Sequence, residues 1–448
     1  MGRLFGTDGV RGLANEALTC DLAYQLGQAA AYVLTLAKHK PKILIGRDTR
    51  ISGDMLEAAL AAGICSVGAS ANIAGVLPTP AIAYLTRLYE ADAGIVISAS
   101  HNSMEYNGIK IFDRNGHKLA DELEERIEAI ILDGSETLPR PTGAGLGRIT
   151  RIKNTVKDYV NYLKGIVDFD LEGIKIAVDC ANGASYEAAP MLFRELRAEV
   201  DTMYTIPDGI NINANCGSTH PRRLQSHVLE ADADVGFAFD GDADRLIAVD
   251  ENGKLVDGDQ IMVICALDMK RRGSLKKDTL VTTVMSNIGL DKAIKEADIK
   301  SEKTQVGDRY VLERMLEGGY CLGGEQSGHV IFLDYNTTGD GLLTALQLLK
   351  VMKNTGKKLS ELAASMKKYP QVLVNASVTE AKKLDYERDG MVQKAIEEIE
   401  EKFKDDGRVL IRPSGTEPLV RVMIEGPNQR EIEEDAVRLA KLIEERLR

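Results

Sequence analysis

The sequence has no excess of basic residues. Its 448 residues include 56 Lys and Arg against 68 Asp and Glu, which gives a net charge of −12 at pH 7. Nucleic acid and anionic lipid are themselves negatively charged, so a chain of this charge is not attracted to them nonspecifically. We therefore expect no nucleic-acid partner and no membrane partner. Any phosphate group that the protein binds must be held by local arginines.

Paired cysteines and long apolar runs are also missing. The six cysteines contain no CxxC pair and are Cys20, Cys65, Cys180, Cys216, Cys265 and Cys321. This scatter indicates reduced, mostly buried thiols rather than a disulfide framework. The N-terminal MGRLFGTDGVRG has no apolar signal region, and no apolar stretch is long enough to span a bilayer. These absences predict a cytoplasmic protein.

The remaining composition is that of an ordinary globular protein, with 44% hydrophobic and 28% charged residues. Several short β-branched runs end in polar, glycine-containing loops and precede helical patterns. They are KILIGRDTR, AGIVISASHN, IKIAVDCANG and TLVTTVMSN. Repeated strand, loop and helix order predicts parallel α/β units. Ligand sites in such units lie in the loops at the carboxyl ends of the strands.

The chain is too long for one compact core, and we expect several domains. Four blocks are predicted, at residues 1–150, 151–253, 254–368 and 369–448. The clearest linker is GSETLPRPTGAGLG at residues 134–147, which is rich in Gly, Pro and Thr. The last block shows two strand-and-helix repeats, which predict a small α+β domain.

Three aspartates alternate in DGDADR, between the apolar runs VGFAF and LIAV: Asp240, Asp242 and Asp244. Carboxylates at this spacing can converge on one hard divalent cation. An EF-hand loop has similar spacing, but it needs a glycine where Arg245 stands and helices on both sides. A second possible interpretation is an aspartyl phosphatase loop in which Asp240 is the nucleophile. A structural turn also stays open, although adjacent acids repel one another unless a cation or bases compensate.

SASHN, at residues 98–102, follows an apolar strand that ends at Ile97. A serine at the end of a strand can be held exposed for attack, and the aspartates offer metal charge for a phosphoryl group on it. A helix N-cap explains the motif equally well. Lys110 lies in the short apolar strand IKIF, where partial burial is expected to lower its pKa towards that of a usable base. An ordinary edge-strand lysine is the alternative.

Two later loops combine glycine with polar groups. In GGEQSGH, Glu325 and Ser327 lie on the same side of an extended segment and can bind vicinal hydroxyls. His329 is either a residue that exchanges protons or a structural residue. RPSGTEP, followed by Arg421, joins a bidentate guanidinium to hydroxyls and glycine amides, which suits a phosphate dianion.

Two further loops contribute positive charge. FGTDGVRG contains Arg11, and GRDTRISG contains Arg47 and Arg50. Each of these arginines is either a source of charge for a phosphate or a surface ion pair of little energetic weight.

Together and in this order, FGTDGVRG, SASHN, DGDADR, GEQSGH and RPSGTEP resemble the α-D-phosphohexomutase family over nearly the whole chain. The resemblance implies three related α/β domains with mixed, largely parallel sheets and a smaller C-terminal α+β domain around a central cleft. VGDRYV, CGSTH and Gln326 are most similar to the bacterial branch that acts on glucosamine phosphates. The branches that act on mannose and glucose phosphates are the alternative.

The resemblance also implies roles for individual residues. Ser100 is the phosphorylated serine, and with its phosphate the metal ligands are Asp240, Asp242 and Asp244. The implied substrate-binding residues are Arg309, Glu325, Ser327, Arg412, Ser414, Gly415, Thr416 and Arg421. Proton transfer or charge stabilisation is implied for Arg11, Lys110, Arg245 and His329. Ser103 stands where the family usually has proline, a departure expected to loosen the serine loop.

The implied reaction moves a phosphoryl group between the 6 and 1 positions of a hexosamine phosphate, the small-molecule partner, through phospho-Ser100. The implied cofactors are Mg²⁺ and, as activator, glucosamine 1,6-bisphosphate or glucose 1,6-bisphosphate. A homodimer is implied as well. A calcium-binding or phosphosugar-sensing protein without catalysis is the rival class.

Overall fold

The structure is a computed structural model that describes residues 2–6, 8–35, 40–414 and 418–448. The chain divides into two compact units. Unit 1 comprises Met1–Met285 and Ile299–Ala364, and unit 2 comprises Ser286–Asp298 and Ser365–Arg448. Over the described ranges the backbone forms four β-sheets, three in unit 1 and one in unit 2. No helix in these ranges is long and apolar enough to cross a bilayer.

The first sheet of unit 1 has the strand order β1-β5-β4-β2-β3-β6. Its strands are β1 (Val10–Leu13), β2 (Lys42–Arg47), β3 (Ser70–Val76), β4 (Ala93–Ile97), β5 (Tyr106–Asp113) and β6 (Ile149–Arg151). Its helices are α1 (Cys20–Leu34), α2 (Ser52–Ser66), α3 (Thr79–Leu88) and α4 (Asp121–Asp133). β2 is parallel to β3 and β4, and β4 is buried along its whole length, as is typical of a strand covered on both faces.

The second sheet has the order β11-β10-β9-β7-β8. Its elements are α5 (Thr155–Ile166), β7 (Lys175–Asp179), α6 (Ala188–Glu195), β8 (Glu199–Met203), α7 (Arg222–Ala231), β9 (Val235–Phe239), β10 (Leu246–Asp250) and β11 (Leu255–Val256). β7, β8 and β9 are parallel, whereas β9 and β10 form an antiparallel hairpin. The loop of that hairpin carries the aspartate motif.

The third sheet has the order β13-β12-β14-β15. Its strands are β12 (Thr279–Thr283), β13 (Lys300–Thr304), β14 (Leu322–Gly324) and β15 (Val330–Phe332). The helices of this part of the chain are α8 (Gly258–Arg271), α9 (Ile288–Glu296), α10 (Asp308–Gly318), α11 (Gly341–Thr355) and α12 (Leu359–Ala363). α9 belongs to unit 2 and the others to unit 1.

Unit 2 contains an antiparallel sheet with the order β16-β18-β17. Its elements besides α9 are β16 (Gln371–Ser377), α13 (Gly390–Phe403), β17 (Arg408–Pro413), β18 (Leu419–Glu425) and α14 (Gln429–Leu447). The inward faces of α13 and α14 pack with β18 into one apolar core, represented by Val392, Val422 and Leu439.

The predicted fold class is confirmed. All the apolar runs that the sequence marks as parallel strands form β2, β4, β7 and β12. The last block is the predicted small α+β unit, with its strands and helices in the expected order. The exact domain boundaries stay predictions.

Candidate active site

Ser100 lies in the loop that follows the buried strand β4. The start of the loop is hydrogen-bonded to the sheet, because Ser98 N donates to the Gly108 carbonyl of β5 at 2.9 Å. Ser100 has a φ of 53°, a left-handed conformation that residues other than glycine rarely adopt. The helix N-cap interpretation is wrong, because the chain enters β5 at Tyr106 instead of a helix.

The expectation of an exposed serine is also wrong, since Ser100 is only 1% exposed. Its Oγ donates to Asp240 Oδ2 at 2.6 Å. The aspartate loop approaches so closely that a Cβ atom on Gly241 would lie 2.5 Å from the Ser100 carbonyl oxygen. Glycine at position 241 is therefore what allows the two loops to meet.

The aspartate loop joins β9 to β10, so its flanks are strands and the EF-hand interpretation is excluded. Ala243 has a φ of 55°, which turns the chain between the last two aspartates. Carboxylate oxygens of Asp240, Asp242 and Asp244 lie within 4.8 Å of one another, and all three residues are buried. The alternation in the sequence thus becomes one compact group of acids.

The donor set of this group fits a hard divalent cation. Asp242 Oδ1 and Asp244 Oδ1 are buried and have no hydrogen-bond partner among the described residues. Burial raises the pKa of Asp240 well above its ordinary value, and the neighbouring carboxylates of Asp244 and Asp242 raise it further. A cation would satisfy both open oxygens and relieve the repulsion. The three aspartates are therefore able to hold a metal ion.

Lys110 lies against the aspartates and is only 1% exposed. Its Nζ is 2.9 Å from Asp242 Oδ2, 3.0 Å from Asp8 Oδ2 and 3.5 Å from Asp244 Oδ2. Burial by itself lowers the pKa of the ammonium, but these carboxylates outweigh it and hold the pKa well above its usual value. The expectation of a lowered pKa is wrong, because the charges around Lys110 decide the sign and burial does not.

Three more charged or titratable side chains belong to the cluster formed by Ser100, Asp8 and the aspartates. Arg11 forms an ion pair with Asp8. Arg245 donates its backbone N–H to Asp240 Oδ1 at 3.3 Å, and its Nε is 3.8 Å from Asp244 Oδ1. His101 Nδ1 is 3.3 Å from Ser100 Oγ, and burial followed by the charge of Arg245 and Arg11 lowers the pKa of His101 to about 4. His101 is therefore neutral at physiological pH.

The loop after β14 has the predicted arrangement of Glu325 and Ser327. Ser327 Oγ lies 3.4 Å from Glu325 Oε2, so both side chains are on the same side of the segment. Glu325 Oε1 accepts a hydrogen bond from Gly307 N at 3.1 Å, which ties this loop to the start of α10. This hydrogen bond orients the Glu325 carboxylate.

His329 is 2% exposed, and its Nε2 lies 3.6 Å from Asp308 Oδ2. Asp308 also pairs with Lys118, and Lys118 pairs with Asp8. Contacts between partly buried charged side chains thus connect Asp308, beside His329, to the charges around Lys110.

Arg309 does not join the aspartate group in this structure. Its Nη1 is 3.1 Å from Glu124 Oε2, and its Nη2 donates to the Leu119 carbonyl at 3.2 Å and pairs with Asp121. These contacts place Arg309 against α4, and its substrate-binding role stays a prediction.

In unit 2, the predicted phosphate loop connects β17 to β18. Arg412 and Arg421 are direct cross-strand partners, so both guanidinium groups start from the same face of the hairpin. Ser414 is buried and donates its backbone N–H to the Leu419 carbonyl at 2.9 Å. Gly415 and Thr416 lie outside the described residues.

Asp8 and Thr79 are absent from the predicted site residues, although both contact the cluster. Thr79 Oγ1 donates to Asp242 Oδ2 at 2.6 Å across 163 residues of sequence, and no local pattern signals this contact. The sequence did contain a signal for Asp8, which lies near Arg11 in FGTDGVRG. An acid close to a candidate phosphate-binding arginine indicates that it balances a positive charge of the site.

Four family models match the chain in series. They are described as the phosphoglucomutase/phosphomannomutase alpha/beta/alpha domains I, II and III and the C-terminal domain, and they cover residues 2–138, 157–253, 257–369 and 373–442. The chain therefore belongs to the phosphoglucomutase/phosphomannomutase family.

Individual proteins of this family are similar to the chain over its whole length. A phosphoglucosamine mutase from Ruminiclostridium cellulolyticum is 63% identical over 448 residues, which is 100% of each chain. A solved phosphoglucomutase/phosphomannomutase family protein from Burkholderia thailandensis is 25% identical, covers 98% of each chain and has a TM-score of 0.78. An Aspergillus fumigatus N-acetylphosphoglucosamine mutase, solved with GlcNAc-6P and magnesium, is 17% identical over 99% of this chain and 96% of its own, with a TM-score of 0.68.

Proposed function

We propose that the chain is a phosphoglucosamine mutase, which interconverts glucosamine 6-phosphate and glucosamine 1-phosphate through phospho-Ser100 and glucosamine 1,6-bisphosphate. One observation carries the proposal: a buried serine hydroxyl lies 2.6 Å from an aspartate of a three-carboxylate group that fits a divalent cation. The full-length 63% identity to a phosphoglucosamine mutase selects this substrate over mannose and glucose phosphates.

Ser100 is the group that gives and takes the phosphoryl group. In the first step the bond between Ser100 Oγ and phosphorus breaks, and a bond from phosphorus to O1 of glucosamine 6-phosphate forms as that hydroxyl loses its proton. The bisphosphate then turns over, the bond between phosphorus and O6 breaks as O6 takes up a proton, and the 6-phosphoryl group returns to Ser100 Oγ. Both ends of the sugar thus use the same serine.

Mg²⁺ is the cation that we propose for the aspartate group, held by Asp240, Asp242, Asp244 and the phosphate on Ser100. When bound, it neutralises charge on the transferring phosphoryl group. The two open, buried carboxylate oxygens support this assignment. So does the magnesium in the Aspergillus fumigatus structure of similar fold.

The side chains around Ser100 have separate tasks. Lys110 keeps its proton and acts as a fixed cation towards the phosphoryl group rather than as a base, because its pKa is raised. Arg11 and Arg245 add positive charge from partly buried positions in the same cluster. His329 is the residue that exchanges protons with the sugar hydroxyl, a task supported by its position beside the Asp308 carboxylate.

Substrate binding uses two loops of different chemistry. Glu325 and Ser327 bind the hydroxyls in the middle of the sugar, which occupy similar places in both orientations. The β17–β18 hairpin, with Arg412, Ser414, Gly415, Thr416 and Arg421, binds the phosphate that is not reacting. Its paired arginines support this, since guanidinium groups bind phosphate in a bidentate manner.

Three further statements belong to the same proposal. Glucosamine 1,6-bisphosphate or glucose 1,6-bisphosphate activates the enzyme by phosphorylating Ser100. Each of the four predicted domains carries one functional loop. The protein forms a homodimer, as the resemblance to bacterial relatives implies.

A substrate panel tests the proposal. kcat/KM is measured for glucosamine, glucose and mannose 6-phosphates with Mg²⁺ and the matching bisphosphate. We expect glucosamine 6-phosphate to give the highest value. A higher value for mannose or glucose 6-phosphate would move the protein to the other branches of the family, and absence of turnover with all three would contradict a mutase.

A further inference from the structure

The GRDTRISG segment has a role that neither of its predicted interpretations describes. Arg50 is 0% exposed, so it is not a surface ion pair. Its Nε donates to Asp48 Oδ2 at 2.9 Å, and its backbone N–H donates to Asp48 Oδ1 at 2.9 Å. Arg47 instead pairs with Asp54 and Glu57 on α2. Arg50 is thus committed to an internal partner and is not available as a phosphate ligand.

The Nη1 and Nη2 atoms of Arg50 donate hydrogen bonds to the loop that carries Ser100. Arg50 Nη2 lies 2.9 Å from both the Ser100 and the Asn102 carbonyl oxygens, and Nη1 donates to the Ser103 carbonyl. Three backbone carbonyls of one short loop therefore converge on one planar cation. The fork geometry of arginine suits this task, and a lysine ammonium could not reproduce it.

Asn213, in the loop between β8 and α7, contacts the same serine loop. Its Nδ2 lies 2.9 Å from the Ser100 carbonyl oxygen and 2.9 Å from the Asn102 carbonyl oxygen. Asn213 is itself buried and has a φ of 58°. The same two carbonyls thus accept from Arg50 and from Asn213.

The amide side of Ser100 is held as well. Ser100 N donates to Ser98 Oγ at 3.0 Å, and Ser98 Oγ donates to Asp48 Oδ2 at 2.6 Å. Asp48 therefore orients both Arg50, which contacts the loop carbonyls, and the Ser98 hydroxyl, which accepts from the Ser100 amide. The loop needs such support, because Ser100 has a left-handed backbone that its own side chain does not favour.

We propose that Arg50, oriented by Asp48, and Asn213 are positioning residues that hold Ser100 in its left-handed conformation with Oγ directed at Asp240. They act on the reaction through the backbone of Ser100 and do not touch the sugar phosphate. This inference rests on the proposed mutase function for its kinetic consequence. Its structural consequence, an ordered serine loop, is independent of that function.

The Ser103 carbonyl accepts from Arg50 Nη1, a backbone contact that does not depend on the side chain at position 103. The expectation that Ser103 in place of proline loosens the loop stays a prediction.

The test uses Asn213→Gly, because glycine accepts the positive φ of position 213 while both donor contacts are lost. Asn215→Gly is the matched control, since Asn215 has a φ of 55° but an exposed side chain. Misplacing a reacting group by about 1 Å costs roughly 100-fold in rate. We expect Asn213→Gly to lower kcat about 10- to 100-fold with KM within about threefold, and Asn215→Gly to match the wild type.

Hydrogen exchange supplies a readout that does not depend on catalysis. In Asn213→Gly the amides of residues 98–106 should exchange faster, while the rest of unit 1 and the Tm stay close to the wild type. Arg50→Lys should show the same pattern with a larger loss of kcat, because the charge remains without the fork. If Arg50→Lys does not fold, Asn213→Gly decides alone.

Unchanged kcat in Asn213→Gly would overturn the proposal, as would equal losses in Asn213→Gly and Asn215→Gly. A loss of activity without faster exchange in the serine loop would overturn it too. A wild-type protein that is inactive on glucosamine 6-phosphate contradicts the proposed function instead. In that case the exchange comparison still decides whether Asn213 holds the loop.

Discussion

Replacing Asp242 by asparagine removes one carboxylate from the aspartate group while keeping the shape of the side chain. Asp242 Oδ2 accepts from Lys110 Nζ at 2.9 Å and from Thr79 Oγ1 at 2.6 Å, and its Oδ1 is open for a cation. The variant therefore weakens an internal ion pair and a metal ligand at once. The two effects are separable, because only the second depends on Mg²⁺.

The size of the first effect follows from the pKa of Asp242. Burial raises this pKa, but Lys110 and the hydrogen bonds from Lys110 and Thr79 lower it from 3.8 to about 2. The difference corresponds to about 2 kcal/mol of stability at neutral pH. Because the folded pKa is depressed, this contribution is present above the ordinary aspartate pKa and is lost as the pH falls towards 2.

Urea unfolding in EDTA measures the loss of stability from the ion pair, and a Mg²⁺ titration measures the loss of the metal ligand. Without metal we expect Asp242→Asn to be less stable than the wild type by about 2 kcal/mol at pH 7, with the difference narrowing in acid. With metal, we expect Mg²⁺ affinity to fall by at least about 100-fold, more than is typical when a group that only orients a ligand is lost. Single-turnover phosphoryl transfer should slow in parallel.

Asp250→Asn is the matched control. Asp250 is a buried aspartate at the end of β10, where its Oδ1 accepts from Asn252 N and Lys254 N at 2.9 Å. Its replacement should lower stability while leaving Mg²⁺ affinity and the transfer rate unchanged. An Asp242→Asn protein that binds Mg²⁺ and transfers phosphate like the wild type would refute the metal assignment.

Three further predictions follow from the same site. Ser100→Ala should remove nearly all turnover while the protein stays folded, and Ser98→Ala should be much milder in the same steady-state assay; equal losses would contradict the assignment of Ser100. Arg412→Ala should let glucosamine 1,6-bisphosphate escape, so added bisphosphate should restore much of the activity; a loss insensitive to bisphosphate would show that Arg412 binds substrate but does not retain the intermediate. Mg²⁺ affinity should rise with pH above the ordinary aspartate range, because the raised pKa of Asp240 makes metal binding release a proton; calorimetry in two buffers of different ionisation enthalpy should detect that proton, and identical heats would contradict it.

The fold follows from local patterns in the sequence. β4 and β9 are uninterrupted apolar runs, as buried strands are, and each ends where polar side chains begin. The aspartate group was also predictable, because alternate positions in a short loop suffice to bring the carboxylates together. Periodicity and spacing within about ten residues carry this information.

The remaining features of the site depend on contacts between distant segments. Lys110 looked like a candidate base because its strand is apolar. Of the carboxylates that raise its pKa, those of Asp242 and Asp244 come from a loop more than 130 residues away, and that of Asp8 comes from the N-terminal segment. From the sequence, Arg50 was interpreted as a surface ion pair or a phosphate ligand, whereas in the structure it is buried against the serine loop. No local pattern shows which charges meet in the folded protein, so the sign of the Lys110 shift and the place of Arg50 required the structure.

The most direct test of the central claim is the position of the phosphoryl group during turnover. The protein is phosphorylated with ³²P-labelled glucosamine 1,6-bisphosphate, quenched in acid within a turnover, and mapped by peptide sequencing. We predict acid-stable label on Ser100 that is chased into sugar phosphate by unlabelled glucosamine 6-phosphate. Hydroxylamine-labile label on Asp240, or turnover without label on Ser100, would contradict the mechanism.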